Sequence, residues 1–247
     1  MLHVAMSSRR NQYGQEIGPP TPGWSERQRP QRGIIVGRYC RLEPVDAKIH
    51  ATDLFAAYME APDSRDWTYL FAERPESEDQ LREYLEKLAA SEDPLHFAIV
   101  DTDTGKAAGT AALMRIDPAN GVIEVGSIAF SPRMQRARLG TDAMYQMMRV
   151  AFDELGYRRY EWKCDSLNGP SRTAAERYGF TYEGIFRKAV IYKGRSRDTA
   201  WFSITADEWP RVRRAFESWL EPTNFEPGGR QRRSLREIRW TGGEEHA

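Results

Sequence analysis

The sequence predicts a mixed α/β domain: a largely antiparallel central sheet of about seven strands with helices on both faces. Three observations lead there. The apolar period switches along the chain between about two residues and about 3.6 residues. The middle strand candidates are separated by short turn signals, as in a meander. The later ones are separated by amphipathic segments long enough to be crossovers, and crossovers leave helices on both faces of a sheet.

The elements follow in order. Residues 38–45 form a strand that ends at Pro44. Residues 46–60 carry Ile49, Leu54, Ala57 and Tyr58 at helical spacing, and residues 79–90 repeat the pattern with Leu81, Leu85 and Leu88. Strands at 95–100, 107–116 and 121–130 are joined through Thr104-Gly105 and Asn120-Gly121, the second a strong hairpin signal. Residues 140–155 make a long amphipathic helix, with Ala143, Met147, Val150, Ala151 and Leu155 on one stripe and Gly156 as a left-handed cap. Residues 159–165 alternate Tyr160, Trp162 and Cys164 against charges, which makes a strand with two different faces. A short helix at 168–178 closes at Gly179, and 181–191 with 197–204 form a hairpin around Lys193-Gly194. The last helix, 207–220, gathers Trp209, Val212, Phe216, Trp219 and Leu220 on one side. Those aromatic residues and Phe225 suit either an intramolecular cover or a homodimer face.

The folded domain therefore spans 34–221, including its C-terminal helix. Residues 1–33 are expected to be a flexible arm, broken by Gly18, Pro19, Pro20, Pro22, Gly23 and Pro30. Residues 222–247 are expected to be a basic, disordered tail, with Arg230, Arg232, Arg233, Arg236 and Arg239 solvated.

Composition excludes several classes. Leu, Ile, Val and Phe total only 45 of 247 residues, but zero net charge and 11% aromatics rule out disorder of the whole chain. Thirty-six basic residues cancel 36 acidic ones, which counts against nucleic acid or an anionic membrane as partner except through a local patch. No apolar run approaches the roughly 20 residues that span a bilayer, and residues 1–20 lack a signal-peptide core. A cytoplasmic protein is expected. Cys40 and Cys164 make neither a disulfide framework nor a metal-ligand spacing, and His50 and His96 have no partners in sequence, so no metal is expected.

The chemistry concentrates after the strand ending at Phe130. The loop Arg133-Met134-Gln135-Arg136-Ala137-Arg138-Leu139-Gly140-Thr141 runs straight into the long helix. A helix start offers free backbone N–H groups and the positive end of the dipole, a site for phosphate or pyrophosphate. Gly140 lets backbone come close, and three arginines add charge.

Strand, Pro132, Gln135-x-x-Arg138-x-Gly140 and then a helix resemble the acyl-CoA signature of the Gcn5-related N-acetyltransferases, the GNAT superfamily. Asn168-x-x-Ser171, Tyr178-Gly179-Phe180, Glu183-Gly184-x-x-Arg187 and Gly194-x-x-x-Asp198 are similar to its RimJ/RimL-like branch. The resemblance covers roughly 38–204. It implies acetyl-CoA as donor and a primary amine as acceptor, either a protein N-terminus or a small molecule. It also implies that Gln135, Arg136, Arg138, Leu139, Gly140 and Thr141 receive the phosphates, that the backbone of Ile128 and Phe130 pairs with the pantetheine arm, and that Asn168 holds the same arm. Two positions depart from the pattern: Arg138 replaces a loop glycine, and Ala175 replaces a tyrosine that serves many relatives as general acid.

Amide formation by direct attack needs a base for the ammonium, a donor to the thioester oxygen and a proton for the leaving thiolate. Glu124 is the candidate base, since its strand parity with Val122, Ile128 and Phe130 puts a carboxylate on an apolar face. A bulge that shifted the parity would instead turn it to solvent. The resemblance puts Ser171, at the start of the 168–178 helix, near the sulfur as the candidate acid, a position where it equally suits a cap. The resemblance implies that Trp67, Tyr69 and Phe71 wall the acceptor, and Arg187 and Asp198 are expected to pair across the last hairpin. The alternative function is a catalytically silent acyl-CoA-binding regulatory or interaction module.

Overall fold

The computed structural model describes residues 9–241. A small hairpin, β1 (Arg9–Arg10) and β2 (Glu16–Ile17), precedes the main sheet. The sheet has eight strands: β3 (Ile35–Val36), β4 (Cys40–Pro44), β5 (Leu95–Asp101), β6 (Ala107–Asp117), β7 (Val122–Phe130), β8 (Arg159–Asp165), β9 (Thr181–Tyr192) and β10 (Arg195–Thr205). Their spatial order is β3-β4-β5-β6-β7-β8-β10-β9. Every pairing is antiparallel except β7 with β8. The seven expected strands are present, and the short β3 is the addition.

Helices cover both faces. α1 (Ala47–Met59) and α2 (Glu78–Ala90) pack on one side around Leu54, Tyr58, Leu81 and Leu85. Each is started by a side-chain cap, Asp46 and Ser77 respectively. α3 (Arg138–Arg149), α4 (Gly169–Tyr178), α5 (Trp209–Leu220) and α6 (Leu235–Thr241) cover the other side. There Ile123, Val125, Tyr160 and Trp162 of the central strands meet Met144, Met147, Phe216 and Trp219. Glycine does what the sequence asked of it at two helix ends, with φ of 67° at Gly156 and 102° at Gly179. Trp209, Phe216 and Trp219 are buried within the chain, so the intramolecular reading of that helix holds.

Both terminal segments carry more structure than the sequence suggested, where described. In the arm, Trp24 donates from Nε1 to the Ala119 carbonyl at 2.9 Å, and Arg27 donates to the Gly156 carbonyl at 3.0 Å. In the expected tail, Asn224 donates to the carbonyls of Trp219 and Arg233, both at 3.1 Å. Leu235 is buried and Arg239 donates to the carbonyls of Arg177 and Glu176 at the end of α4. Residues 222–241 thus lie against α5 and α4, because a few apolar anchors among the arginines find the core. The remaining expectations for 1–8 and 242–247 fall outside the described residues.

Candidate active site

The one parallel junction of the sheet is also where it opens. β7 pairs with β8 only from Val122↔Arg159 to Val125↔Trp162. Beyond that, Gly126, Ala129 and Phe130 stay with β6, while Lys163, Cys164 and Asp165 stay with β10. The two strands part into a wedge, and the β8-facing edge of residues 126–130 has no strand partner among the described residues. This is the unpaired edge that the expectation for Ile128 and Phe130 requires. Both side chains pack partly buried against the α3 layer, leaving backbone for the wedge.

The wedge ends at the loop and the start of α3. Ala137 is the N-cap and has no side chain to bond the first-turn amides, so those N–H groups are uncapped. Leu139 and Thr141 turn their side chains inward, and the Thr141 hydroxyl is held by Arg177 at 3.1 Å. Gly140 touches the loop backbone: a Cβ there would sit 2.8 Å from the Met134 carbonyl oxygen and 3.1 Å from the Phe130 ring. The left-handed loop residue is Arg136, with φ of 59°; Arg138, which replaces the loop glycine, is helical and adopts no positive φ. The Arg138 guanidinium lies between Tyr39 and Phe225, 4.7 and 5.0 Å from their ring centroids. Arg133 pairs with Glu60, and Gln135 donates to Asp66 at 3.1 Å, tying the loop to the segment after α1. Of the loop arginines, Arg136 is the exposed one without a carboxylate among the described residues.

Glu124 is 3% exposed. Its parity with Ile128 and Phe130 is corrected by a bulge: Gly126 faces Ala112 and Ala129 faces Thr110, so Ser127 and Ile128 together oppose Ala111. Ser127 takes φ of 47° in doing so. The carboxylate therefore shares its face with Gly126 and Ala129, on the side of α1 and α2. Burial pushes the Glu124 carboxyl above its ordinary value, against the opposing pull of Lys163 and Arg115. Lys163 Nζ stands 2.9 Å away and Arg115 Nε 3.1 Å.

Across the wedge, Asn168 caps α4 by accepting the Ser171 N–H at 3.1 Å. Ser171 Oγ accepts the indole N–H of Trp162 at 3.0 Å. Replacing Ser171 with Ala strands that indole donor, and we expect a loss of about 1–3 kcal/mol in stability, measured by denaturant unfolding. Cys164 lies beside Ser171, and burial pushes its thiol up, which suits packing better than nucleophilic attack.

The acceptor side differs in detail from expectation. Trp67 is core, edge-on to Tyr58 at 5.3 Å, and Tyr69 donates to the Leu167 carbonyl at 3.2 Å. Phe71 is exposed beside Tyr192, 5.5 Å between centroids. The turn joining β9 to β10 leans on the same segment, with Lys193 donating to the Trp67 carbonyl at 2.9 Å. Asp198 accepts the Lys188 N–H at 2.7 Å in place of a pair with Arg187. His50 is held by the Asp46 amide at 3.0 Å, and burial, then Arg32, pushes His96 down to about 4.

Sequence reasoning missed the charges of β8. Glu161 and Lys163 face Glu124 from inside the sheet, with side chains 8% and 6% exposed. The signal was there: a strand in the middle of a two-sided sheet cannot leave alternating charges in water.

Comparison with known proteins agrees with this fold. The family described as an acetyltransferase (GNAT) domain matches residues 40–181. The crystal structure of a GCN5-related N-acetyltransferase from Brucella melitensis is 49% identical, with a TM-score of 0.87, over 89% of this chain and 99% of that one. The SPbeta prophage-derived uncharacterized N-acetyltransferase YokL of Bacillus subtilis (strain 168) is 27% identical over 135 residues, 55% of this chain and 75% of the relative. The microcin C7 self immunity acetyltransferase MccE, whose structure holds acetyl-CoA and AMP, shares the fold at 23% identity and a TM-score of 0.58, over 72% of this chain and 98% of that one.

Proposed function

The chain belongs to the GNAT acetyltransferase family and is an acyltransferase; from that premise we propose that it moves an acetyl group from acetyl-CoA to a primary amine, a protein N-terminus or a small amine, by direct attack. One observation carries the reading: the stretch of β7 without a strand partner among the described residues runs from beside the buried carboxylate of Glu124 to the loop that feeds the uncapped start of α3. In this reading the uncapped amides of α3, with Gln135, Arg136 and Arg138 around them, hold the phosphates. The backbone of Ile128 and Phe130 takes the pantetheine arm as an added strand, Asn168 steadies it, and an N–H of that edge polarises the thioester oxygen. Glu124 draws the proton from the attacking amine, directly or through a water, and Ser171 supplies one to the leaving thiolate. No metal is invoked.

The test is a calorimetric titration with acetyl-CoA, followed by a thiol-release assay over peptides with free N-termini and small amines. Saturable binding and amine-dependent thiol release are expected. Absence of binding up to millimolar acetyl-CoA would overturn the reading.

A further inference from the structure

The face of β8 turned away from α3 carries a buried ionic ladder whose members other than Glu124 the reaction above leaves unused. Lys163 is its hub. Its ammonium lies 2.9 Å from Glu124 Oε2 on β7, 2.6 Å from Glu161 Oε2 on its own strand and 3.8 Å from the centroid of the Trp201 ring on β10. Glu161 is in turn bonded by Arg159 at 2.6 Å, which reaches Glu183 on β9 at 2.7 Å. From β6, Arg115 approaches Glu124, but with 56% of its side chain exposed it is far better solvated than Lys163. Three carboxylates and three cations thus balance across β6, β7, β8 and β9.

Burying such a set costs several kcal/mol per ion unless each charge is well paired, and well-packed apolar residues often stabilise as much. Stability alone therefore does not account for a lysine on this strand. The geometry offers a better account. Lys163 and Arg115 both make their closest approach to Oε2 of Glu124, so Oε1 is the oxygen farther from both cations. We propose that Lys163 is a positioning residue: gripped between Glu124 and Glu161, it fixes which oxygen of Glu124 meets the acceptor and sets the pH at which that oxygen takes a proton. This rests on the reading of Glu124 as base.

The signs are definite. Burial and the like charge of Glu161 favour protonated Glu124, whereas Lys163 and Arg115 favour the carboxylate. Without Lys163 the carboxyl would stay protonated to higher pH, and its onset as a base would move up with it.

Two variants are expected to move Glu124 in opposite directions. Lys163→Met should raise its pKa by about one unit or more, and Lys163→Arg should restore it. Glu161→Gln should lower it, by removing a like charge and freeing Lys163. The Glu124 carboxyl is followed by carbon-13 NMR titration of the full chain, which needs no acceptor. The acid limb of kcat/KM, with the fastest amine of the panel, should shift with it. A carboxyl that titrates at the wild-type pH in both Lys163→Met and Glu161→Gln overturns the inference, and shifts of the same sign in both do so too. Should the NMR shifts appear while Glu124→Gln keeps the wild-type limb, the failure lies in the assignment of the base, with the coupling intact. If Lys163→Met does not fold, Glu161→Gln and Lys163→Arg still report the coupling.

Discussion

Glu124→Gln is expected to slow acetyl transfer by about 10²–10⁴-fold, the loss typical of a removed general base. Glutamine keeps the shape and the acceptor oxygen for Lys163 but cannot take a proton at any useful pH. The effect should fall on kcat, with acetyl-CoA binding by calorimetry unchanged, because the residue sits beside the wedge and away from the start of α3. The pH profile gives a second readout. With its carboxyl above the ordinary value, wild-type kcat/KM should climb as pH rises through that point, and the variant should be flat there. A variant that turned over at the wild-type rate would remove Glu124 from the mechanism, leaving the alternative that the acceptor arrives already neutral. Circular dichroism guards the conclusion, since Glu161 remains to pair with Lys163 at 2.6 Å.

How this site could be reached from the sequence differs residue by residue. The strands around it were legible because period and turn chemistry agree. Lys193-Gly194 is a turn in which both residues take positive φ, at 48° and 68°, while in Asn120-Gly121 the glycine alone does, at 61°. The helix start was legible from the loop that feeds it. The orientation of Glu124 was not, because one extra residue at Ser127 reverses the parity downstream and leaves no mark in a period of two. The fate of 222–241 was hidden for another reason. Phe225, Leu235 and Ile238 are too widely spaced among arginines to register as a pattern, yet each packs against the core. Arg138 was read as a charge for phosphate, and its place between two aromatic rings depended on Phe225 returning to Tyr39, a contact no local window contains. The ladder on β8 was visible as alternating charge, and its meaning came only with the knowledge that both faces of the strand are covered.

Gly140→Val is expected to weaken acetyl-CoA binding more than tenfold and to cost about 1–3 kcal/mol in stability, as overpacking does. The reason is a contact that cannot give way cheaply. The atom nearest to a Cβ at 140 is the Met134 carbonyl oxygen, part of the backbone, at 2.8 Å. Moving it means moving a loop pinned by the Ser131 N–H on Ala108 at 3.2 Å, by buried Met134 and by the pair of Arg133 with Glu60. The amides that would hold a phosphate are those of the displaced first turn, so binding should suffer beyond what lost stability explains. Gly140→Ala makes the comparison graded, since it adds only the Cβ. Arg138→Ala removes a cation from the same turn without forcing the loop, and its affinity loss isolates charge from geometry. Calorimetric titrations of the three variants, made where each is folded, decide the point. Wild-type affinity in Gly140→Val would mean that the start of α3 is scaffold, and that the donor's phosphates are held elsewhere along the wedge. A loss in Gly140→Val that greatly exceeds that in Arg138→Ala would assign the binding to backbone amides held in place by a glycine, with the arginine secondary.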